Sequence, residues 1–180
     1  MTHPAFSVFL GLSLDGFIAR EDGRLDWLTA FDREDTDYGF AGFFATVDTV
    51  VLGRHTFETV VDFGPEAWPY AEKRVVVLST GTPEVPEALA SSVEVLSMTP
   101  PDLAHHLGAT GSTQVYLDGG QTVQRFLRTT LPLALILTYL PILIGQGRPL
   151  FGALPADRKL DFVGSTTFAG GAVQVRYRTA

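Results

Sequence analysis

No cysteine occurs among the 180 residues, so disulfides and thiolate metal sites are excluded outright. Charge is also scarce: Asp, Glu, Lys and Arg make up 18% of the chain against 46% hydrophobic residues. That balance excludes a disordered chain and describes one that buries a sizeable core. The charge present leans acidic, with a formal net value of −7, and an acidic chain lacks the basic face that nucleic acid requires. Any phosphorylated ligand must then be met by a few cations placed locally. Met1-Thr2-His3-Pro4 has neither the basic nor the apolar region of a secretory signal, so a cytoplasmic location is expected.

Long apolar runs are missing as well. Leu131 to Gly145 (LPLALILTYLPILIG) carries no charge, but it contains Pro132 and Pro141 and falls short of the about 20 residues a spanning helix needs. An uninterrupted apolar run closed by a proline and glycine turn is what a strand covered on both faces looks like. No membrane partner is expected.

What is present alternates between strand and helix. Ala5 to Ser13 reads as a first strand ending at the Asp15-Gly16 turn, and Gly23 to Leu28 reads as a loop. The acidic run Asp32 to Asp37 precedes Phe40, Phe43 and Phe44 at helical spacing, and acidic residues suit a first helical turn. Strands are expected over Thr49 to Leu52, Val75 to Ser79, Val93 to Leu96 and Gln114 to Leu117. Helices are expected over Thr56 to Val61, Pro101 to Leu107 and Thr122 to Arg128. Lys159 to Phe168 and Ala172 to Arg178 flank Gly170-Gly171 as a terminal hairpin. No repeat, low-complexity segment or linker interrupts residues 1–180, which read as one domain: an α/β sheet with crossovers, finished by an antiparallel edge.

Two strand-to-helix junctions have the chemistry of anion sites: Val51-Leu52-Gly53-Arg54-His55-Thr56 and Tyr116-Leu117-Asp118-Gly119-Gly120-Gln121-Thr122. The free N–H groups of a starting helix favour negative charge, glycine lets a phosphate approach the backbone, and Arg54 adds a fork of donors. Neither is a Walker loop and neither is a G-x-G-x-x-G fingerprint. Either alone also reads as a plain turn. Of the four histidines, the adjacent His105 and His106 point to different sides of a helix, and no metal is expected.

In order along the chain, Ser13 to Ala19 (SLDGFIA), Gly53 to Glu58 (GRHTFE), Val77 to Thr80 (VLST), Gly119-Gly120 and Pro141 to Phe151 (PILIGQGRPLF) resemble the dihydrofolate-reductase-like superfamily. The nearer resemblance is to stand-alone relatives of the C-terminal reductase domain of the riboflavin-biosynthesis deaminase-reductase, and it covers nearly the whole chain. It implies a three-layer α/β/α fold, a mixed and mostly parallel sheet, and NADPH as hydride donor. By position, it places Gly11, Ile18 and Ala19 along the nicotinamide. It places Gly53, Arg54, His55 and Thr56 on the phosphates, and Ser79 and Thr80, with Arg54 nearby, on the adenosine 2′-phosphate. Gly119, Gly120, Gln121, Thr122 and Val123 would wrap the pyrophosphate, with the Gly119–Gly120 peptide cis. Relatives commonly pair, so a homodimer is expected.

On the substrate side, the resemblance puts Asp37 where dihydrofolate reductases keep the carboxylate that holds the pterin ring, and Thr138 where a partner threonine stands. A carboxylate there could protonate or steer a heterocycle; the same residue also reads as a solvated helix start. Trp27 either caps the substrate site or packs the loop. The chain departs from the resemblance in having no deaminase zinc ligands, and in having Leu133 and Ala134 where relatives often carry an Asp-Glu pair. The implied activity is an NADPH-dependent reductase of a small heterocyclic or ribosylamino substrate. The alternatives are dihydrofolate reductase itself and a non-catalytic NADP-binding domain.

Overall fold

Strands apolar on both faces place the sheet in the middle of the molecule. In the computed structural model, which describes residues 3–31 and 36–180, the chain begins with β1 (Ala5–Ser13), β2 (Phe17–Ala19), α1 (Asp26–Thr29), α2 (Phe40–Thr46), β3 (Thr49–Gly53), α3 (Arg54–Val61) and β4 (Arg74–Leu78). It continues with β5 (Val93–Leu96), α4 (Pro100–Ala109), β6 (Gln114–Asp118), α5 (Gly120–Leu127), β7 (Leu133–Leu140), β8 (Arg148–Pro149), β9 (Leu160–Thr167) and β10 (Val173–Thr179). An eight-stranded sheet has the order β5-β4-β3-β6-β1-β7-β10-β9. Pairing is parallel from β5 to β7 and antiparallel for β7 with β10 and β10 with β9.

The period of two along each strand sorts side chains into two cores. Val50 and Leu52 of β3 and Val75 and Val77 of β4 pack with Phe57 and Val60 of α3 and with the phenylalanines of α2. The intervening Val51 and Val76 turn to the other face, among Leu103 and Leu107 of α4 and Val123 and Phe126 of α5. Phe57 and Phe126 are fully buried, each contributing about 1.5–3 kcal/mol relative to an exposed ring. The expected three-layer α/β/α fold with an antiparallel C-terminal edge is the fold observed. No helix among the described residues is long and apolar enough to cross a membrane.

Three local expectations need correction. The segment Gly23 to Leu28 is not all loop, because α1 begins at Asp26. Arg20 holds that start through a paired contact, Nε to Asp26 Oδ1 at 2.7 Å and Nη2 to Oδ2 at 2.9 Å, while burial of Trp27 secures the turn. The helices after β3 and β6 start two residues earlier than expected, at Arg54 and Gly120. Of the acidic run, residues 32–35 lie outside the described residues, and α2 starts only at Phe40.

Candidate active site

β3 and β6 are sheet neighbours, paired from Thr49↔Val115 to Leu52↔Asp118. The turns at their C-terminal ends therefore lie side by side. Neither α3 nor α5 has a side-chain cap, so the leading N–H groups of Arg54, His55 and Thr56, and of Gly120, Gln121 and Thr122, find no acceptor within their own helices. The turns also touch one another. A Cβ on Gly119 would run into the Thr56 hydroxyl, and one on Gly53 would sit 3.1 Å from the Thr122 hydroxyl.

The Gly119–Gly120 peptide is trans, for no cis bond occurs among the described residues. This corrects the expectation of a cis bond. The sharp reversal comes from Gly119, whose φ of 89° and ψ of 136° are open to a residue without a Cβ.

A cavity of about 1050 Å³ opens in front of these turns. Gly53, His55, Thr56, Gly119, Gly120, Gln121 and Thr122 line it, as do Gly11, Ile18 and Ala19. Its cover joins two distant stretches of chain. β2 pairs with β8, Leu150 N–H donates to Gly16 O at 3.2 Å, and Asp15 Oδ2 accepts from Gly145 N–H at 2.8 Å. Ile18 and Pro149 then close over Gly120, where a Cβ would meet Ile18 Cδ1 at 2.8 Å and Pro149 O at 3.3 Å. These contacts fill the space a side chain at Gly120 would take, and Gly119 and Gly120 are buried beneath them.

Arg54, Ser79 and Thr80 do not line the cavity, but Arg54 and Ser79 both reach the surroundings of Gly81. A Cβ on Gly81 would be 3.3 Å from Arg54 Nη1 and 3.8 Å from Ser79 Oγ. Ser79 Oγ accepts from Gly81 N–H at 3.0 Å. Arg54 is not a free cation: its Nε donates to Glu58 Oε1 at 2.6 Å, and this contact holds the Glu58 carboxyl below its usual range. His55 is exposed, with Nδ1 3.5 Å from Glu58 Oε2.

Residues 4–174 match the RibD C-terminal domain family. The chain belongs to that family. It is 35% identical to the uncharacterised Bacillus subtilis protein YwjB over 171 residues, 94% of this chain and 95% of that one. A structure from Shewanella sp. PV-4, named for riboflavin biosynthesis, superposes with a TM-score of 0.90 at 36% identity, covering 98% of this chain and 99% of that one. The fold alone is shared with the Thermotoga maritima diaminohydroxyphosphoribosylaminopyrimidine deaminase/5-amino-6-(5-phosphoribosylamino)uracil reductase. That match has a TM-score of 0.73 at 15% identity and covers 99% of this chain but 57% of that one. It is shared also with Schistosoma mansoni dihydrofolate reductase, with a TM-score of 0.62 at 14% identity and 99% and 98% coverage.

Two of the residues expected at the RibD-type site point elsewhere. Val123 is fully buried in the core beside Phe126, and its N–H is taken by Gly119 O at 3.1 Å. Trp27 packs with Leu140 and Ala172 and does not line the cavity, so it packs the loop. Thr138 and Asp37 do reach the cavity. Thr138 is 2% exposed on β7. Asp37 is exposed, and its carboxylate accepts from Gly39 N–H at 2.9 Å and Ala41 N–H at 2.8 Å. The Ala41 and Gly39 N–H groups hold its carboxyl below the usual range, so it is an ionised start to α2 at the cavity wall.

Sequence reasoning passed over Asp118, which lines the cavity beside Gly119. One oxygen accepts from Gly119 N–H at 2.8 Å and the other from the Tyr70 hydroxyl at 2.6 Å. Burial pushes this carboxyl up, against the pull of the Tyr70 hydroxyl and the Gly119 N–H. Burial and the Asp118 carboxylate push the Tyr70 hydroxyl far up, keeping it a donor. An aspartate ahead of Gly-Gly is a visible signal; its partner Tyr70, distant in the chain, is not.

Proposed function

We propose that the protein is an NADPH-dependent reductase that delivers hydride to a small heterocyclic or ribosylamino substrate, similar to the 5-amino-6-(5-phosphoribosylamino)uracil reductase named in the Thermotoga protein. The observation that carries this reading is the meeting of two uncapped, glycine-led helix starts at one cavity, in mutual contact through Thr56 and Thr122. Paired N–H clusters of this kind suit a pyrophosphate. NADPH, when bound, would supply the hydride. Gly120, Gln121 and Thr122 would hold the pyrophosphate by their backbone, and Arg54 with Ser79 would receive the 2′-phosphate. Ile18 and Ala19 would close over the nicotinamide and exclude water. Asp37 and Thr138 would border the substrate.

The protein is read as acting in the cytoplasm and as a homodimer. Support for the pair comes from β9, an edge strand exposed on both faces with Phe162 at 62% and Val163 at 52% exposure; apolar edges of this kind are normally covered.

Titration with NADPH and NADH by ligand fluorescence tests cofactor binding. Turnover is then followed by NADPH absorbance with the ribosylaminouracil substrate and with dihydrofolate, the second product-forming reaction marking a dihydrofolate reductase. The ionised, backbone-held state of Asp37 favours one other reading, a non-catalytic NADP-binding domain, because such a carboxylate is a poor proton donor. Tight NADPH binding without turnover on either substrate selects it.

A further inference from the structure

Thr138 lines the cavity, and its hydroxyl oxygen is engaged by Gln174 of the neighbouring strand. Gly11, Thr138 and Gln174 are cross-strand partners on β1, β7 and β10, so they form one row on one face of the sheet. Gly11 and Thr138 both line the cavity, with Leu28 Cδ1 filling the space that a side chain on Gly11 would take. Gln174, 1% exposed, stands beside Thr138 on β10 and does not itself line the cavity. Its Nε2 donates to Tyr38 O at 2.9 Å and to Thr138 Oγ1 at 3.1 Å. Its Oε1 accepts from Arg176 Nη2 at 3.1 Å and Nε at 3.3 Å.

That network permits only one orientation of the amide. A carbonyl can only accept and a guanidinium can only donate, so the NH2 group must face Tyr38 O and Thr138 while the oxygen faces Arg176. The Thr138 oxygen is thereby used as an acceptor, and no other partner for its hydrogen is found among the described residues. A buried hydroxyl proton left unpaired is unfavourable, so it turns to whatever the cavity holds.

We infer that Arg176 and Gln174 act as a positioning pair that makes Thr138 an obligate hydrogen-bond donor to the substrate, and that the site selects a heterocycle with a ring carbonyl oxygen at that point over one with an amino group. The inference rests on reading this cavity as the substrate side of a reductase. An amino group would set donor against donor, leaving both unpaired.

The test uses two matched probes on NADPH-loaded protein: 5,6-diaminouracil, which carries ring carbonyls, and 2,4,5,6-tetraaminopyrimidine, in which amino groups replace them. Calorimetry should find the uracil bound at least about tenfold tighter by the wild type, the ratio expected for making rather than losing one buried hydrogen bond. Gln174→Met, close in shape but without polarity, should bring the ratio down to about threefold or less. Thr138→Val should do the same, and Thr138→Ser should restore the preference. A purely structural role for Gln174 would weaken both probes alike and keep their ratio, which would overturn the inference. So would equal binding of the two probes, or binding of neither, by wild type. NADPH affinity is measured in parallel: its absence sinks the reductase reading, whereas NADPH binding without carbonyl preference sinks this one alone.

Discussion

Replacing Gly119 with alanine tests the cradle where its two turns meet. The cost has two sources. Gly119 holds φ at 89° and ψ at 136°, and forcing an L residue into that glycine-favoured region costs about 1–3 kcal/mol. The new carbon would also overlap the Thr56 hydroxyl, with Thr56 Cβ at 3.3 Å, and inserting a carbon into a filled site costs about 1–3 kcal/mol. A combined loss near 3 kcal/mol lowers Tm by roughly 6–12 °C in a chain of this size. Thr56→Ala removes the overlapping hydroxyl but not the backbone cost, so it should recover about 1–2 kcal/mol of the loss in the double mutant. Urea or thermal unfolding of the four proteins closes the cycle. An NADPH titration should show Gly119→Ala weakened at least about tenfold, as expected if displaced N–H groups cost one charge-assisted hydrogen bond. If the two substitutions add within about 0.5 kcal/mol, the turns do not meet as described and the cradle argument fails.

Arg54→Ala should weaken NADPH by about 10- to 150-fold, the range of a lost charge-assisted hydrogen bond, and should abolish most of the preference over NADH. Equal losses with both cofactors would move Arg54 from the 2′-phosphate to the pyrophosphate, and no loss with either would remove it from the site. Glu58→Gln releases the guanidinium that Glu58 now holds and should tighten NADPH binding in the same titration. Asp37 has a folded-state pKa below the ordinary 3.8, set first by the Ala41 N–H, so its stabilising contribution is present above that value and disappears as pH falls through the lower folded one. Asp37→Ala should therefore melt below wild type at neutral pH and match it in strong acid; a gap that persists in acid would refute the ionic cap. Light scattering at micromolar concentration should report a dimer, and Phe162→Glu on the exposed edge strand should dissociate it, whereas a monomeric wild type removes the dimer reading.

Local chemistry was legible in the sequence wherever a residue's own neighbours dictate its state. Unbroken valine and leucine runs define β3 and β4, because a strand covered on both faces is apolar at every position. Ala5 to Ser13 was readable to the residue for the same reason. Gly53-Arg54 and Gly119-Gly120 announced helix starts able to meet an anion, since glycine and an uncapped first turn are local features. Helix onset was read late because a backbone bond such as Val123 N–H to Gly119 O leaves no mark on side-chain pattern. The Gly23 to Leu28 segment hid α1 because a single turn is too short for periodicity and was secured by Arg20 and by burial of Trp27.

Only the tertiary structure decided what those pieces do together. Sheet order sets β3 beside β6, and that adjacency alone turns two weak turns into one cradle in which Thr56 backs Gly119 and Thr122 backs Gly53. The partnership of Asp118 with Tyr70 and the row of Gly11, Thr138 and Gln174 join residues far apart in the chain. Such contacts depend on strand register and crossover, which no local propensity encodes. Trp27 and Val123 went into the core rather than to the site for the same reason: burial is decided by the layers that close over a residue, and the sequence names the residue without naming the layer.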